Sequence, residues 1–168
     1  MTRAAPGRKK ATKTSVDSSR VLREQGARFF GKLLDFNRDR SVLRDPVKQF
    51  CDAHELSSPQ SHVIIWLGHE GPLNTGTLSR LADINDKSIT GVVDRLEARG
   101  LVERTRHPSD RRSVVNALTP EGQSISAGIR ERIEVALAGF FSTLPPDELE
   151  TLFRLMDRLH DTVRVPHD

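Results

Sequence analysis

The chain has 168 residues, of which 36 % are apolar, with one cysteine and a formal charge of +3. That length supports one domain with a core of its own, and the lone Cys51 excludes an intrachain disulfide and points to a reducing, cytoplasmic setting. No run approaches the ~18 consecutive apolar residues of a membrane span, and the basic N-terminus has no apolar stretch behind it, which argues against a secretory signal.

The charge is unevenly placed. Residues 1–18 hold Arg3, Arg8, Lys9, Lys10 and Lys13 against Asp17. Without apolar periodicity they are expected to form a disordered basic tail. Residues 95–112 hold Arg95, Arg99, Arg104, Arg106, Arg111 and Arg112 against Glu97, Glu103 and Asp110. Two basic clusters on a neutral body suggest a polyanionic partner, although either one alone suits a solvated surface.

From Ser19 a helix is predicted, because Leu22, Gly26, Phe29, Phe30, Leu33 and Phe36 recur at helical spacing; it runs out near Asn37 to Arg40. Pro46 opens a short helix through Phe50 to Ala53. In Leu56-Ser57-Ser58-Pro59-Gln60, Ser57 and Gln60 form a capping box for a helix that buries Val63, Ile64 and Leu67 and ends over residues 68–72. Asn74 caps a short helix through Leu78 and Leu81. After a polar break at 83–86, a helix over Lys87 to Arg99 turns Ile89, Val92, Val93 and Leu96 inward and stops at Gly100.

Residues 101–106 and 112–118 read as a hairpin around Pro108-Ser109-Asp110. Thr119 and Pro120 start a long helix striped by Ile125, Ile129, Ile133, Leu137, Phe140 and Phe141. Pro145-Pro146 breaks it. Asp147 and Glu148 then suit the start of a last helix striped by Leu149, Leu152, Phe153, Met156, Leu159 and Val163.

A short helix, a tight break, a second helix rich in small polar and basic residues and then a basic hairpin form the layout of a winged helix-turn-helix. The expected fold is mainly α, with a two-stranded wing. The second helix is sized for the major groove, and an arginine-tipped wing can reach the minor groove. Long apolar faces on the terminal helices are hard to cover within one small chain, so these helices are expected to form a dimerisation region; an intramolecular bundle is the alternative. The expected divisions are a tail (1–18), an N-terminal dimerisation helix with a short connector helix (19–54), the DNA-binding region (55–119) and C-terminal dimerisation helices (120–168).

The segments LSSPQ (56–60), GPL (71–73), SITGVVDRLEARGLVER (88–104) and DRRSVVNALTPEG (110–122) together resemble the MarR-type (multiple antibiotic resistance regulator) transcriptional regulators. The most specific piece is Asp110-x-Arg112 followed by Leu118-Thr119. The resemblance implies six main helices and a wing in a two-fold dimer. It implies a cytoplasmic homodimer that binds a pseudo-palindromic operator in double-stranded DNA as a repressor relieved by a small ligand. Activation or dual control is one alternative; from a different class, an architectural or RNA-associated protein using the basic tail is another.

Site roles follow from the same resemblance. Ser88 and Thr90 bond bases or phosphates, while Lys87 and Arg95 hold the backbone. Gly91 stands where many relatives carry a basic or polar side chain, so a contact there is expected to be missing. Arg112 is the minor-groove residue, oriented by Asp110, unless the two form only a surface ion pair. Arg106, His107, Ser109 and Arg111 line the wing, and Arg104 either braces it or touches DNA. A small aromatic or anionic effector would lie between the dimer helices and the DNA-reading lobe, with Phe29, Phe30, Leu33, His62 and Trp66 as candidate contacts; that all five are core or surface is the alternative. The basic tail would follow phosphates flanking the operator or simply stay solvated.

Catalysis has little support, because no nucleophile-base set or cofactor loop is visible; neither enzyme activity nor a cofactor is expected. Residues 26–33 nearly spell a phosphate-binding loop, but Leu33 stands where Ser or Thr is required and no strand precedes it. Cys51, His54, His62 and His69 match no zinc-site spacing, so no metal is expected. Cys51 is either a small buried hydrophobe or a peroxide-sensing thiol. The thiol-sensing branch of the family supports its cysteine with tyrosines, and this chain has none.

Overall fold

The computed structural model describes residues 13–39, 41–106 and 114–163. In chain order these form α1 (Lys13–Asp39), α2 (Ser41–Ala53), α3 (Ser58–Glu70), α4 (Thr75–Leu81), α5 (Asp86–Ala98), β1 (Val102–Arg106), β2 (Val114–Leu118), α6 (Pro120–Phe141) and α7 (Pro146–Val163). The strands pair antiparallel, with Val102 opposite Leu118 and Arg106 opposite Val114. The mainly α fold with a two-stranded wing is therefore present. Among the described residues, no helix is long and apolar enough to cross a membrane.

Two compact units divide the chain, residues 1–41 and 42–168. In the first, α1 starts at Lys13 instead of Ser19. Residues 13–18 contain neither Gly nor Pro, and extending a formed helix costs far less than nucleating one. The expected disordered tail is thus helical from Lys13, while residues 1–12 lie outside the described residues. The side chains of Val21, Leu22, Phe29, Phe30, Leu33, Leu34 and Phe36 on α1 are between 46 % and 71 % exposed.

The second unit starts at Val42, so α2 belongs with it. The helix itself begins at Ser41, with Pro46 inside it rather than at its start. The proline removes one N–H from the second turn, which the helix tolerates at the loss of a single backbone bond. The six main helices implied by the family resemblance and the short connector helix α2 make seven helices among the described residues.

Core formation in the second unit starts from helix faces that the sequence dictates. Val63, Ile64 and Leu67 of α3 meet Leu78 of α4, Ile89, Val92, Val93 and Leu96 of α5, and Leu101, Val102 and Leu118 at the wing base. Ile125 and Ile129 also join this core and the partly buried Ile133 packs against it, so half of the α6 stripe expected at a dimer interface is used inside the chain. Farther along, Val135 and Phe140 are exposed, and the Phe141 ring meets Phe153 of α7 edge-on at 5.8 Å. Phe153, Leu155, Met156, Leu159 and Val163 leave α7 with an open apolar face.

Three glycines set how near α6 lies to its neighbours. A Cβ on Gly68 of α3 would stand 1.9 Å from Ser126 Oγ, and one on Gly122 would stand 2.0 Å from the Leu101 carbonyl oxygen. On Gly128 it would come within 2.5 Å of the Phe50 ring. The Leu101 carbonyl is backbone and cannot swing away. Gly122→Ala is therefore expected to destabilise the fold by about 1–3 kcal/mol, read as a lower urea midpoint at constant slope. An unchanged midpoint would show that the start of α6 can retreat at no cost.

Candidate nucleic-acid interface

The turn between α4 and α5 is built from side chains that bond backbone. Asn74 Oδ1 accepts from the Thr77 N–H at 2.8 Å, and Asn85 Oδ1 accepts from the Ser88 N–H at 2.9 Å. Each satisfies an amide that the first turn of a helix leaves open. Between the helices Asp83 takes a left-handed backbone, φ 54°. The buried Ser79 hydroxyl donates toward both the Ile84 carbonyl and the Asp86 carboxylate, each at 2.6 Å. One hydroxyl thereby fixes where α5 begins relative to α4, and the helix runs 86–98 in place of the expected 87–99.

Facing opposite to its buried Ile89, Val92, Val93 and Leu96, α5 exposes Lys87, Ser88, Thr90 and Arg95, with Gly91 half-buried among them. A Cβ on Gly91 would stand 3.6 Å from Arg95 Nη1. The Arg95 cation consequently lies over the glycine. This outward face combines two hydroxyls, two cations and the positive end of a helix dipole, groups suited to base edges and phosphates.

The wing begins beside this face. Arg106 ends β1 with its side chain exposed, whereas His107, Ser109, Asp110, Arg111 and Arg112 lie outside the described residues. Arg104 bonds Asp94 and Glu97 of α5 and so ties the first wing strand to that helix. The Asp94 hydrogen bond, above all, raises its already high pKa. At the base, Asn116 Nδ2 donates to the Leu73 carbonyl at 3.1 Å and to Thr75 Oγ1 at 3.2 Å, and the Leu73 and Asn116 backbones exchange bonds at 3.0 and 2.8 Å. The hairpin is thus strapped to the segment that enters α4.

Ser79 and Asn116 escaped the sequence reading. Their signals were present but local: a serine shortly before a turn, and one amide in the otherwise apolar strand Val114–Leu118. The effector candidates fall in both units. Phe29, Phe30 and Leu33 belong to α1 in the first unit, whereas His62 on α3 is exposed and Trp66 packs half-buried against the core of the second. Cys51 is buried, and burial pushes its thiol pKa up, which favours the small-hydrophobe reading over the sensor.

Residues 56–114 match the sequence model of the MarR family. The chain is 31 % identical over 99 residues to YfiV, an uncharacterised HTH-type transcriptional regulator of Bacillus subtilis. That alignment covers 59 % of this chain and 62 % of YfiV, so it spans less than two thirds of the relative. Identity to the homoprotocatechuate degradative operon repressor of Escherichia coli is 27 % over 117 residues, covering 70 % of this chain and 76 % of the repressor. The solved structure of a MarR family protein from Bacillus stearothermophilus matches with a TM-score of 0.69 at 25 % identity, covering 84 % of this chain and 98 % of that one. The chain thus carries the MarR-family sequence pattern over residues 56–114 and is similar in fold to a MarR family protein.

Proposed function

We propose that this chain is a cytoplasmic, homodimeric MarR-family repressor that reads a pseudo-palindromic operator in duplex DNA and is released by a small aromatic or anionic effector. The observation that carries the reading is the two-faced α5: four apolar residues hold it in the core, while Lys87, Ser88, Thr90 and Arg95 stay free for a groove. Two-fold symmetric recognition helices require half-sites about one helical turn apart, roughly 34–36 Å. Arg106 and, by the family motif, His107, Ser109, Asp110, Arg111 and Arg112 extend the contact to the minor groove. Repression is favoured over activation by the name of the Escherichia coli relative.

The operator reading is tested by selecting duplexes from a randomised pool. Arg112→Ala is expected to cost on the order of 1–3 kcal/mol in binding the selected duplex, and Thr90→Ala to change base preference more than non-specific affinity. Equal affinity for selected and scrambled duplexes would refute it.

Dimerisation is assigned to the open apolar faces of α1 and α7 with the exposed end of α6. Deleting residues 147–168 is expected to abolish both the dimer and tight operator binding. A wild type that sediments as a monomer at micromolar concentration would contradict this assignment.

For the effector, besides Phe29, Phe30, Leu33, His62 and Trp66, a cleft of about 320 Å³ between α3 and α6 offers Ile65, Ile129 and Ile133 as walls and Arg130 and His69 as donors, with Glu134 at its edge. Arg130 Nη2 donates to the Gly68 carbonyl of α3 at 3.1 Å, so an aromatic carboxylate drawing Arg130 away would loosen that link. Homoprotocatechuate, named in the relative above, is such a compound. A ligand shifts operator affinity only by its preference for one of the two geometries, typically about 1–3 kcal/mol. A screen of phenolic acids is expected to lower operator affinity; a screen that leaves it unchanged counts against this switch.

A further inference from the structure

We propose that Arg99 and Arg104 are positioning residues, which hold the recognition helix at its docking angle and neutralise no phosphate. The inference rests on α5 being the element that enters the groove. In sequence both belong to the arginine-rich segment that suggests a polyanion partner, yet in the folded chain both guanidinium groups are engaged within the protein.

Arg99, the residue that closes α5, donates through Nη2 to the His54 carbonyl at 2.7 Å and through Nη1 to the Glu55 carbonyl at 2.9 Å. Those carbonyls lie in the turn leaving α2, where the partial negative charge of a helix end favours a cation. A planar fork on two successive carbonyls fixes orientation as well as distance, which a point charge does not.

The turn is itself seated on α6. The His54 ring lies 4.3 Å from Phe50, the Phe50 ring lies 4.0 Å beneath the Arg132 guanidinium, and the same ring abuts Gly128. Arg104, on β1, holds the other side of the helix through Asp94 and Glu97, one turn apart. Arg99 thus ties α5 to the supporting helices, and Arg104 ties it to the wing.

A helix of 13 residues is about 20 Å long at ~1.5 Å per residue. A tilt of about 5° at the Arg99 end moves the Ser88 end by roughly 2 Å, enough to break a hydrogen bond to a base edge. In a two-fold reader the same tilt changes the distance between the two helices, so the angle governs the accepted half-site spacing.

The test uses the full-length protein and the duplex that wild type selects from a randomised pool, alongside duplexes whose central spacer is one base pair shorter or longer. Affinities are measured across a sodium chloride series. Arg99→Ala and Arg104→Ala are each expected to bind the selected duplex about tenfold more weakly, to keep the wild-type salt slope and to discriminate less between spacers. Arg99→Lys, which keeps the charge but not the fork, is expected to fall between wild type and Arg99→Ala. It also carries the test if circular dichroism shows that Arg99→Ala does not fold.

A salt slope shallower by about 0.9 in either alanine variant would identify a phosphate contact and overturn the proposal. Unchanged affinity and spacer discrimination would overturn it equally. If wild type selects no duplex, the failure belongs to the DNA-reading assignment; if it selects one and the variants match it, the failure belongs to the positioning role alone.

Discussion

The close approach of α6 to α3, to the wing base and to α2 is the constraint on which the rest of the second unit depends. Helices with ordinary side chains at their contact pack about 8–10 Å apart, and nearer approach requires small residues. Gly68 opposite Ser126, Gly122 against the Leu101 carbonyl and Gly128 under Phe50 supply them. Each glycine lowers intrinsic helix stability by roughly 1 kcal/mol relative to alanine. The packing of Ile125 and Ile129 with the α3 and wing residues offsets that loss, so the start of α6 is helical chiefly because of what it touches.

Net charge is a poor guide to which cations of this chain are available to a polyanion. Arg95 lies over Gly91 on the outer face of α5, and Arg106 is exposed at the end of β1. Arg99 and Arg104 instead bond carbonyls and carboxylates of the protein itself. A reading based on composition weights all four alike, whereas in the folded chain two of them already hold partners within the protein. The distinction matters for salt dependence, because only a cation that displaces counterions from DNA contributes to it.

What the sequence discloses is governed by how local the determining interaction is. Asn74, Asn85 and Thr119 each accept a bond from an amide three residues on, so their helix starts are legible within a four-residue window. Gly100 at φ 71° marks the end of α5 for an equally local reason. The start of α1 at Lys13 was missed because propagation leaves no signature residue, and Pro46 misplaced the start of α2 because proline is more often a first-turn residue than an interior one.

The interior role of Ile125 and Ile129 depends on partners more than 20 residues away, as does the Asn116 strap to Leu73. Periodicity shows that a helix has an apolar stripe but not which part of it a partner helix covers. Of the proposed site, the face of α5 was therefore legible in full, because one half of a helix reveals the other. The clasp of Arg99 on His54 and Glu55, across more than 40 residues, had no counterpart in the pattern.

In the proposed dimer, the exposed apolar faces of α1 and α7 and the polar outer face of α5 would answer different demands of a single task. One recognition helix contacts only a few base pairs, and binding at one half-site gives limited affinity. Joining two such helices turns the second contact into an intramolecular event, with an effective concentration that depends on how well the frame matches the site. A frame that flexes loses this gain, because the second helix then samples many separations of which few fit. In the proposed dimer, the side chains that would hold the frame, such as Met156 and Leu159, would serve recognition as much as Thr90, although they would read no base. Specificity in such a reader resides in the rigidity between the two helices as well as in the chemistry each presents.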